Sequence, residues 1–369
     1  MKIGITGADG LIGWHQRAYL KAIDGGHEIR LANRATFKRP ESLAEFVQSL
    51  DAIIHLAGMN RGTDAEVEAT NAALARDLVA ACEQTGTCPF LVFANSTHQD
   101  RDTPYGRGKR AAANTFRLWA AQSGAGFANL ILPHVFGEFG KPFYNSVVST
   151  FCYQLARNET PQIISDGDLE LLHVQDVVAH CLRAIQESQR GDIRLNGVGM
   201  KVSALLQRLT EMRDQYQSMV LPRLESILDV RLFNTLRSYL FPGHYPVALT
   251  LHGDARGSLF EVVKSMGGGQ VFMSTTHPGI TRGNHFHTRK VERFLVASGE
   301  ADICLRKLFG NEVTCFKVSG GAPCYVDIPT FHTHCISNTG QTELVTLFWA
   351  NEIYDPADPD TFPEWVSAS

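Results

Sequence analysis

The sequence predicts an α/β domain built on a parallel sheet, followed by an all-β domain of antiparallel strands. Two observations carry this prediction. In the first half of the chain, short apolar runs without polar alternation are spaced by amphipathic helical stretches, as in parallel sheets that helices cover on both faces. In the last third, short strand patterns and turn residues recur about every 8–12 residues, as in β-sandwiches and barrels.

The α/β pattern occupies the first part of the chain. Its predicted strands span residues 2–6, 27–31, 52–56, 90–94 and 128–132. Its predicted helices span residues 11–23, 65–82 and about 105–123, and a helical region continues to about residue 239.

A cluster of breaker residues, Phe-Pro-Gly-His-Tyr-Pro at 241–246, separates the two patterns. We therefore predict one domain over residues 1–243 and a second over residues 244–369. The strands predicted in the second domain span residues 258–264, 270–275, 293–298, 301–308, 312–318, 325–328 and 344–350.

The composition excludes several classes of protein. Of the 369 residues, 44% are hydrophobic and 20% charged, which is typical of a globular protein. The net charge of −4 argues against general binding to nucleic acids or anionic membranes. No apolar run approaches the roughly 18 residues that span a bilayer, and the chain begins on a strand pattern, so we expect no signal peptide and a cytoplasmic location. The eight cysteines form no Cys-x-x-Cys pair, and we expect all of them to be free thiols.

The first chemical motif is a glycine-rich loop between the first strand and the first helix. Gly7, Gly10 and Gly13 are spaced three apart. The first permits a tight turn, the second lets a pyrophosphate approach the backbone, and the third lets helix and sheet pack closely. The helix N-terminus, with the N–H groups of Leu11 and Ile12, would bind the phosphates. The loop predicts a dinucleotide site, with a plain strand-to-helix turn as the alternative.

The end of the second strand indicates which dinucleotide binds. An acidic residue there would bind the ribose 2′-hydroxyl of NAD, but the sequence reads Leu-Ala-Asn-Arg at 31–34, without a carboxylate. The guanidinium of Arg34, beside Asn33, would pair instead with a 2′-phosphate. We therefore predict NADPH as the cofactor, and the alternative is that Arg34 is a solvated surface charge.

A second motif places a tyrosine and a lysine on one helix face. Tyr105 and Lys109 are four residues apart, so their side chains are neighbours on a helix. The lysine ammonium would favour the phenolate and lower the pKa of the tyrosine. Tyr105 could then exchange a proton with a substrate oxygen near neutral pH. Ser96, just past the strand at 90–94, would hydrogen-bond the same carbonyl.

These motifs together resemble the extended short-chain dehydrogenase/reductases that act on nucleotide sugars. The three glycines, the strand end His-Leu-Ala-Gly at 55–58, the serine and the Tyr-x-x-x-Lys pair all fall where that family has them. The resemblance covers residues 1 to about 240 and implies a Rossmann-type fold. It also implies that Leu56, Ala57 and Gly58 contact the cofactor, as do Tyr105 and Lys109.

The second domain carries a set of potential metal ligands. His285 and His287 alternate, so on a strand they share one face. Glu292 follows closely, and His334 comes from a later segment. Nitrogen and oxygen donors of this kind suit a borderline divalent ion, most plausibly zinc, with open coordination positions.

The spacing of these ligands resembles the two motifs of the cupin superfamily, whose fold is a double-stranded β-helix. One position departs from that pattern, because Phe331 stands where the second motif has glycine. The loop before His334 therefore could differ, which makes His332 a competing ligand. Cys335 is excluded as a ligand because neighbouring side chains on a strand point to opposite faces. The alternative is a metal-free cupin whose histidines are catalytic or structural.

Two segments upstream resemble those of metal-independent dTDP-sugar 3,5-epimerases. They contain Arg256 and Arg282, which that resemblance places against substrate, and it implies His285 as a base. A cupin of this kind would act on a carbon beside a ketone. The alternative for both arginines is a plain surface position.

Over nearly its whole length the chain resembles the bifunctional CapF-type (WbjC-like) enzymes of UDP-N-acetyl-L-fucosamine synthesis, which serve capsule and O-antigen. The segments at 141–147, 151–159 and 283–299 and the tail at 351–361 carry this resemblance. It implies a UDP-sugar substrate, contacts from Ser96, His134 and Asn145, and a homodimer. His134 departs from the family, where asparagine is usual, which puts only the detailed sugar contacts in doubt.

The resemblance implies a UDP-2-acetamido-2,6-dideoxy-4-keto-hexose as substrate. The C3 proton is acidic only while C4 is a ketone, so the cupin must epimerise C3 before the reductase uses NADPH at C4. A metal in the cupin would act as a Lewis acid on the keto oxygen. The expected product is UDP-2-acetamido-2,6-dideoxy-β-L-talose. The alternatives are a reductase whose cupin only binds or dimerises, and a non-catalytic NADP(H) sensor.

Overall fold

The computed structural model describes residues 1–23, 25–255 and 257–367. The contacts divide the chain into two units. The first unit consists of Met1–Gly137 and Gly167–Lys201, and the second of Glu138–Asp166 and Val202–Ser369. Strands and helices are numbered along the chain through both units.

The first unit alternates strands and helices, as its sequence pattern predicts. Its strands are β1 (Lys2–Thr6), β2 (Glu28–Ala32), β3 (Ala52–His55), β4 (Phe90–Ser96), β5 (Phe127–Leu132), β6 (His134–Phe136), β7 (Asp168–His173), β8 (Gly191–Arg194) and β9 (Val198–Lys201). Its helices are α1 (Leu11–Ala22), α2 (Arg34–Phe37), α3 (Pro40–Val47), α4 (Asp64–Thr85), α5 (Pro104–Ser123) and α7 (Val174–Gln186), and Thr97–Asp100 form a short 3₁₀ helix.

The main sheet of the first unit is parallel, in the order β2-β1-β3-β4-β5-β8. Both of its faces are buried, which explains the unbroken apolar runs. Ile53 and Leu91 belong to one hydrophobic core, and their neighbours Ile54 and Val92 belong to another. The strand order reverses at β1, between β2 and β3, and such a reversal is where open α/β sheets bind ligands.

The second unit combines helices with antiparallel strands. Its helices are α6 (Val147–Ala156), α8 (Val202–Gln217) and α9 (Ile227–Leu240). Its strands are β10 (Val220–Leu221), β11 (Val247–Ala248), β12 (His252–Asp254), β13 (Gly257–Leu259), β14 (Lys264–Ser265), β15 (Gln270–Thr276), β16 (Thr281–Phe286), β17 (Glu292–Ser298), β18 (Glu300–Lys307), β19 (Val313–Ser319), β20 (Cys324–Ile328), β21 (His332–Asn338), β22 (Leu344–Ala350) and β23 (Phe362–Pro363).

Two antiparallel sheets make up most of this unit. Their orders are β11-β20-β17-β22-β15 and β19-β18-β21-β16-β23. One hydrophobic core contains residues of both sheets, such as Leu295 and Val326 of the first and Ile303 and Ile336 of the second. The sheets therefore pack face to face, and the prediction of an all-β architecture is confirmed for this region.

The contacts group residues 202–243 with the β-strands, whereas the sequence boundary was drawn at residue 243. Buried polar contacts explain this grouping. The hydroxyl of Tyr216 in α8 donates to the carboxylate of Asp327 at 2.5 Å. The guanidinium of Arg237 in α9 donates to the carbonyl of Ile328 at 2.6 Å. Breaking such bonds inside a core would leave buried charges unpaired, so these helices fold with the strands they contact.

Two local predictions are wrong in part. The region predicted to be helical up to residue 239 also contains the short strands β6–β9, which pair in the order β6-β7-β9 or join the main sheet. The predicted strand at 258–264 is two short strands, β13 and β14, with irregular backbone between them. Strands of two to six residues are too short for periodicity to reveal them.

The prediction that all eight cysteines are free is also wrong. Cys304 in β18 and Cys315 in β19 form a disulfide, with their Cα atoms 4.1 Å apart. The two residues lie directly opposite each other in the antiparallel pair. Only the register of β18 on β19 brings them together, and their sequence spacing contains no such signal.

Within the described residues, no helix is both long enough and apolar enough to cross a membrane.

Candidate active sites of the two units

The glycine-rich loop of the first unit is shaped by close backbone contacts. Gly7 has φ +68°, and a Cβ there would lie 2.7 Å from the backbone nitrogen of Ala57. A Cβ at Gly13 would lie 2.2 Å from the carbonyl oxygen of Gly7. Any side chain at either position would displace backbone, so both positions require glycine. Gly10 is the N-cap of α1 and brings no side chain to its first turn, which suits the binding of a phosphate to the free N–H groups.

The end of β2 presents a cation beside the short helix α2. The side chain of Asn33 accepts hydrogen bonds from the N–H groups of Ala35 and Thr36 at 2.8 and 3.2 Å, so it caps α2. Arg34 is the first residue of that helix and is exposed. Asn33 therefore fixes the local backbone, while the guanidinium of Arg34 remains accessible to a ligand.

The loop after β3 is tied to β1 and lies beside the lysine of the Tyr-x-x-x-Lys pair. The hydroxyl oxygen of Thr6 accepts hydrogen bonds from the N–H groups of Leu56 and Ala57, both at 3.1 Å. A Cβ at Gly58 would lie 3.7 Å from the Nζ of Lys109. The structure therefore brings the predicted cofactor contacts of two loops to the carboxyl ends of β1 and β3.

Tyr105 and Lys109 lie in the first two turns of α5, as their spacing predicts. The Nζ of Lys109 donates to the carbonyl oxygen of Ala94 at 2.7 Å and lies 5.9 Å from the centre of the Tyr105 ring. Lys109 is buried, and burial lowers its pKa to about 7. At neutral pH the lysine is therefore only partly charged. The negative charge of a bound dinucleotide would raise this pKa and restore the ammonium.

Ser96 is the last residue of β4, next to the start of α5. Its hydroxyl oxygen accepts a hydrogen bond from the N–H of His98 at 3.2 Å. The ring of His98 meets that of Tyr105 edge-on, with centroids 6.0 Å apart. A Cβ at Gly106 would lie 2.4 Å from the carbonyl oxygen of His98, so glycine there allows α5 to approach this segment. Ser96 and Tyr105 are thus held on adjoining segments.

Asn71 of α4 is a residue that the sequence analysis missed. Its side-chain amide donates to the carbonyl oxygen of Met59 at 2.5 Å, and its oxygen accepts from the N–H of Met59 at 3.2 Å. It thereby holds the loop after β3 beside Lys109. An asparagine inside a helix otherwise rich in alanine is a poor helix former, and that was the available signal.

The predicted substrate contacts lie in both units. His134 begins β6 in the first unit, and burial, aided by the charge of His98, lowers its pKa to about 4. Asn145 is exposed in a turn before α6 of the second unit. Arg282 of β16 donates to the hydroxyl of Thr276 at 2.9 Å and is largely exposed. Arg256 lies outside the described residues.

The four predicted metal ligands form one cluster in the second unit. One donor atom from each of His285, His287, Glu292 and His334 lies within 4.8 Å of the others. The Nε2 of His287 is 2.9 Å from the carboxylate of Glu292, and the Nε2 of His334 is 3.7 Å from it. All but His285 are buried, and His285 is half-buried.

A β-bulge is needed to bring His285 into this cluster. Gly283 pairs with Cys335, yet His285 pairs with His334, so β16 contains one extra residue, Asn284. In a regular pairing without the bulge, Asn284 would oppose His334, and His285 would face the other side of the sheet. Gly283 has φ +103°, and a Cβ there would lie 2.7 Å from the carbonyl oxygen of His334. Asn284 also has positive φ, so Gly-Asn is the sequence signal for the bulge.

Backbone carbonyls fix the orientation of two of the imidazoles. The Nδ1 of His287 bonds to the carbonyl oxygen of Asp360, and the Nδ1 of His334 to that of His332 at 3.3 Å. A carbonyl oxygen can only accept, so Nδ1 carries the proton in both rings. The Nε2 of His334 then faces the cluster without a proton, whereas the Nε2 of His287 donates to the carboxylate of Glu292 at 2.9 Å. A bound metal ion would take the place of that proton.

The electrostatics of the cluster also suit a cation. Burial lowers the pKa of His285 to about 4 and the pKa of His334 well below its ordinary value. Burial alone would raise the pKa of Glu292, but His287 beside it lowers that pKa to about 2. The same contact raises the pKa of His287. Near neutral pH, His285, His334 and Glu292 therefore have the protonation states in which they bind metals.

The donor set fits a divalent metal ion. Three imidazoles and one carboxylate suit an ion of intermediate softness such as Zn²⁺, and thiolates are absent from this group of ligand atoms in the described chain. The Nε2 of His334 is buried and has no hydrogen-bond partner among the described residues. An unpaired buried nitrogen is costly, and coordination of a metal would remove that cost.

Phe331, which stands where the second cupin motif has glycine, adopts the backbone conformation that glycine favours. Phe331 has φ +59°, in the region that favours glycine, and its ring is fully buried. Its N–H donates to the carbonyl oxygen of His287 at 2.8 Å. The turn costs about 1–2 kcal/mol for a residue with a Cβ, and burial of the ring offsets it. His332 is outside the ligand cluster and packs against Phe241, with ring centroids 4.8 Å apart.

Two family models match this chain. Residues 3–196 match the NAD dependent epimerase/dehydratase family. Residues 252–362 match a polysaccharide biosynthesis C-terminal domain. The two matches fall on the parallel α/β pattern and on the antiparallel strands, respectively.

Individual relatives match over the full chain. The UDP-2-acetamido-2,6-beta-L-arabino-hexul-4-ose reductase of Pseudomonas aeruginosa is 32% identical over 370 residues, which cover 98% of each chain. The capsular polysaccharide assembling protein CapF from Staphylococcus aureus is 33% identical, with a TM-score of 0.64 over 99% of this chain and 100% of that chain. RMD from Pseudomonas aeruginosa, solved with NADPH, is 22% identical with a TM-score of 0.53, over 58% of this chain and 85% of that chain, and this likeness concerns the fold alone.

Proposed function

The chain belongs to the family of CapF/WbjC-type UDP-sugar enzymes, and from that premise we propose that it catalyses two consecutive reactions on one nucleotide sugar. The substrate is a UDP-2-acetamido-2,6-dideoxy-4-keto-hexose. The second unit epimerises C3, and the first then reduces C4 with NADPH. The product is UDP-2-acetamido-2,6-dideoxy-β-L-talose, a precursor for capsule or O-antigen.

One observation carries this proposal. A single chain contains both a Tyr-x-x-x-Lys pair with a buried lysine and a cluster of four potential ligands that fits a divalent ion. A reductase alone needs no metal-ligand cluster, and a redox sensor needs no tyrosine and lysine tied to a strand end. The full-length similarity to a hexulose reductase supports the reductase step of this proposal.

The chemistry of the substrate sets the order of the steps. Loss of the C3 proton leaves a carbanion that is stabilised only while the neighbouring C4 is a ketone. Reduction of C4 removes that stabilisation, so C3 must be inverted first. Reduction also removes one epimer from an equilibrium between two similar sugars, which draws the reversible first step forward.

In the reductase step, NADPH supplies a hydride to C4. The hydroxyl of Tyr105 would give a proton to the oxygen that becomes negative, and the hydroxyl of Ser96 would hydrogen-bond the same oxygen. Lys109 would favour proton transfer from the tyrosine through its charge. Arg34 would hold the 2′-phosphate of the cofactor, because its guanidinium is exposed beside α2.

In the epimerase step, His285, His287, Glu292 and His334 would hold a divalent ion such as Zn²⁺. Such an ion acts as a Lewis acid toward a ketone oxygen. The residues themselves exclude water from the site, because all but His285 are buried, and they direct their nitrogen and oxygen donors toward one centre. Arg256 and Arg282 are the proposed contacts to the UDP-sugar in this unit.

A direct test supplies the 4-keto UDP-sugar to the purified protein in D₂O. Without NADPH, we expect deuterium to enter C3 and no reduction. With NADPH, we expect one equivalent of cofactor to be oxidised per sugar and a 6-deoxy-talose product by NMR. Reduction without C3 exchange would favour a reductase whose cupin only binds or dimerises, and no turnover of either kind would favour a sensor.

Metal analysis of the same preparation separates two forms of the epimerase. Stoichiometric metal together with C3 exchange supports the proposal. Full exchange without metal would favour the metal-independent alternative with His285 as the base. The homodimer is a prediction from the resemblance and the cytoplasmic location a prediction from the sequence composition, and light scattering of the purified protein tests the first.

A further inference from the structure

One residue of the C-terminal tail, Asp360, contacts the segment that joins two of the candidate metal ligands. Asp360 is 1% exposed. Its carboxylate accepts hydrogen bonds from the N–H groups of Thr288, Arg289 and Lys290 at 3.0, 3.0 and 2.8 Å. The hydroxyl of Thr288 donates to it as well, at 2.6 Å. One carboxylate therefore holds three consecutive backbone amides, which form the turn between β16 and β17.

The backbone of the same residue contacts a ligand directly. The carbonyl oxygen of Asp360 accepts a hydrogen bond from the Nδ1 of His287. This bond keeps a proton on Nδ1 and directs Nε2 to the cluster, where it lies 2.9 Å from the carboxylate of Glu292. The two groups of Asp360 thus act together. Its carboxylate fixes the turn that carries His287 and leads to Glu292, and its carbonyl oxygen fixes the imidazole ring of His287.

The backbone conformation of Asp360 makes this double contact possible. Its φ of +44° lies in the left-handed region, which aspartate and asparagine adopt more readily than other residues with a Cβ. Further contacts hold the tail in place, since the Nζ of Lys290 donates to the carbonyl of Pro359 at 2.7 Å and the N–H of Val291 to the side chain of Asn351 at 2.8 Å. The tail is therefore held to the 288–291 turn by hydrogen bonds.

We infer that Asp360 is a positioning residue for metal binding: it sets the tautomer and orientation of His287 and the placement of the turn that leads to Glu292. The inference rests on the proposed metal site. Partners that orient metal-ligating histidines typically change metal affinity by about 10–100-fold when they are lost. Asp360 is 73 residues from His287 in the sequence, so the contact connects the C-terminal tail to the candidate metal cluster.

The test uses the full-length protein and the variant Asp360→Asn. Asparagine tolerates the same φ and has the same size, but it loses the charge and one of the acceptor atoms. Its hydrogen bonds to the N–H groups of residues 288–290 should therefore be weaker. The matched control is Asp358→Asn. Asp358 lies in the same tail and is exposed, and its carboxylate pairs with the guanidinium of Arg289 at 3.1 Å.

Two readouts are measured. The affinity for Zn²⁺ alone, by competition with a chelator, should fall about 10–100-fold in Asp360→Asn and stay unchanged in Asp358→Asn. Nitrogen-15 NMR of histidine-labelled, metal-free protein should show a proton on the Nδ1 of His287 that exchanges slowly with solvent in the wild type. In Asp360→Asn this Nδ1 proton should exchange faster and its signal should shift. A purely structural role would lower the melting temperature of the metal-free protein but would leave both readouts unchanged.

The outcomes separate this inference from the function it rests on. Equal Zn²⁺ affinity and an unchanged His287 spectrum in Asp360→Asn would overturn the positioning role. A wild type that binds no Zn²⁺ would overturn the proposed metal site. In that case the NMR comparison would still decide whether Asp360 holds the Nδ1 proton of His287.

Discussion

The two candidate active sites are built in opposite ways. In the first unit, Tyr105 and Lys109 are neighbours on one helix, and the lysine is held by the adjacent strand end at Ala94. In the second unit, the ligands come from β16, the turn after it, β17 and β21, and the tail contributes Asp360. The first arrangement depends mainly on local backbone geometry. The second depends on strand register, on a bulge and on a distant tail.

This difference predicts where each site is vulnerable. A substitution in the first unit should remove chemistry while leaving its neighbours in place, because the helix holds them. A substitution in the second should disturb affinity and packing together, because each ligand is part of a sheet or turn. Substitutions in both units test this contrast, and the largest effect is expected at Tyr105.

Tyr105→Phe should lower the rate of NADPH oxidation by about 10²–10⁴-fold, the usual contribution of a positioned general acid. Deuterium exchange at C3 should continue at the rate of the wild type, since that chemistry uses other residues. The rates are measured by cofactor absorbance and by NMR, with the exposed Tyr354→Phe as control. Loss of C3 exchange in a folded Tyr105→Phe protein would contradict the separation of the two sites.

His334→Ala should weaken Zn²⁺ binding by more than about 100-fold, because it removes a ligand rather than its support. C3 exchange should fall with the metal content, while NADPH binding should be unchanged. His332→Gln is the matched control, two residues away on the same strand and outside the cluster. Equal metal loss in both variants would mean that His332 is a ligand too.

Lys109 should make the stability of the cofactor-free protein depend on pH. Burial lowers its pKa from 10.5 to about 7, so between these values the unfolded chain binds a proton that the folded chain does not. Stability should therefore rise with pH across this window, by up to about 1.4 kcal/mol per pH unit. In Lys109→Met, thermal unfolding midpoints should lose this rise, whereas the exposed Lys21→Met should keep it.

The disulfide between Cys304 and Cys315 should stabilise the second unit by about 2–3 kcal/mol, as expected for closing a short loop. Cys315→Ser should lower its unfolding midpoint, and peptide mapping of the wild type without reductant should recover the linked pair. Cys88→Ser is the control, since Cys88 is exposed and free. If both thiols were free in the wild type, the pairing of β18 with β19 would not depend on a disulfide.

Arg34→Ala should weaken the binding of NADPH by about 1–3 kcal/mol and leave the binding of NADH nearly unchanged, because only NADPH has a 2′-phosphate. The KM values for both cofactors measure this difference. Lys38→Ala removes an equal charge from the end of the same short helix and serves as control. Equal losses for the two cofactors would identify Arg34 as a general surface charge.

Part of this structure could be predicted from the sequence alone. The glycine spacing at 7, 10 and 13 and the Tyr-x-x-x-Lys pair each specify a local geometry, and the structure has both. The unbroken apolar runs predicted the buried parallel sheet, because residues on both faces of each strand must be apolar. The four residues of the candidate metal cluster were also predicted, because their residue types and their order follow a known pattern, and the structure brings them together.

The rest was decided by tertiary structure. The alternation of His285 and His287 predicted a shared face, but a bulge at Asn284 is what sets His285 opposite His334. Asp360 contacts His287 across 73 residues of chain, Asn71 of α4 fixes the loop after β3, and the disulfide pairs two strands by register. Periodicity along a helix or strand is fixed by the backbone, so the sequence reveals it. Which distant strands and tails meet is fixed by packing, and only the folded chain contains that information.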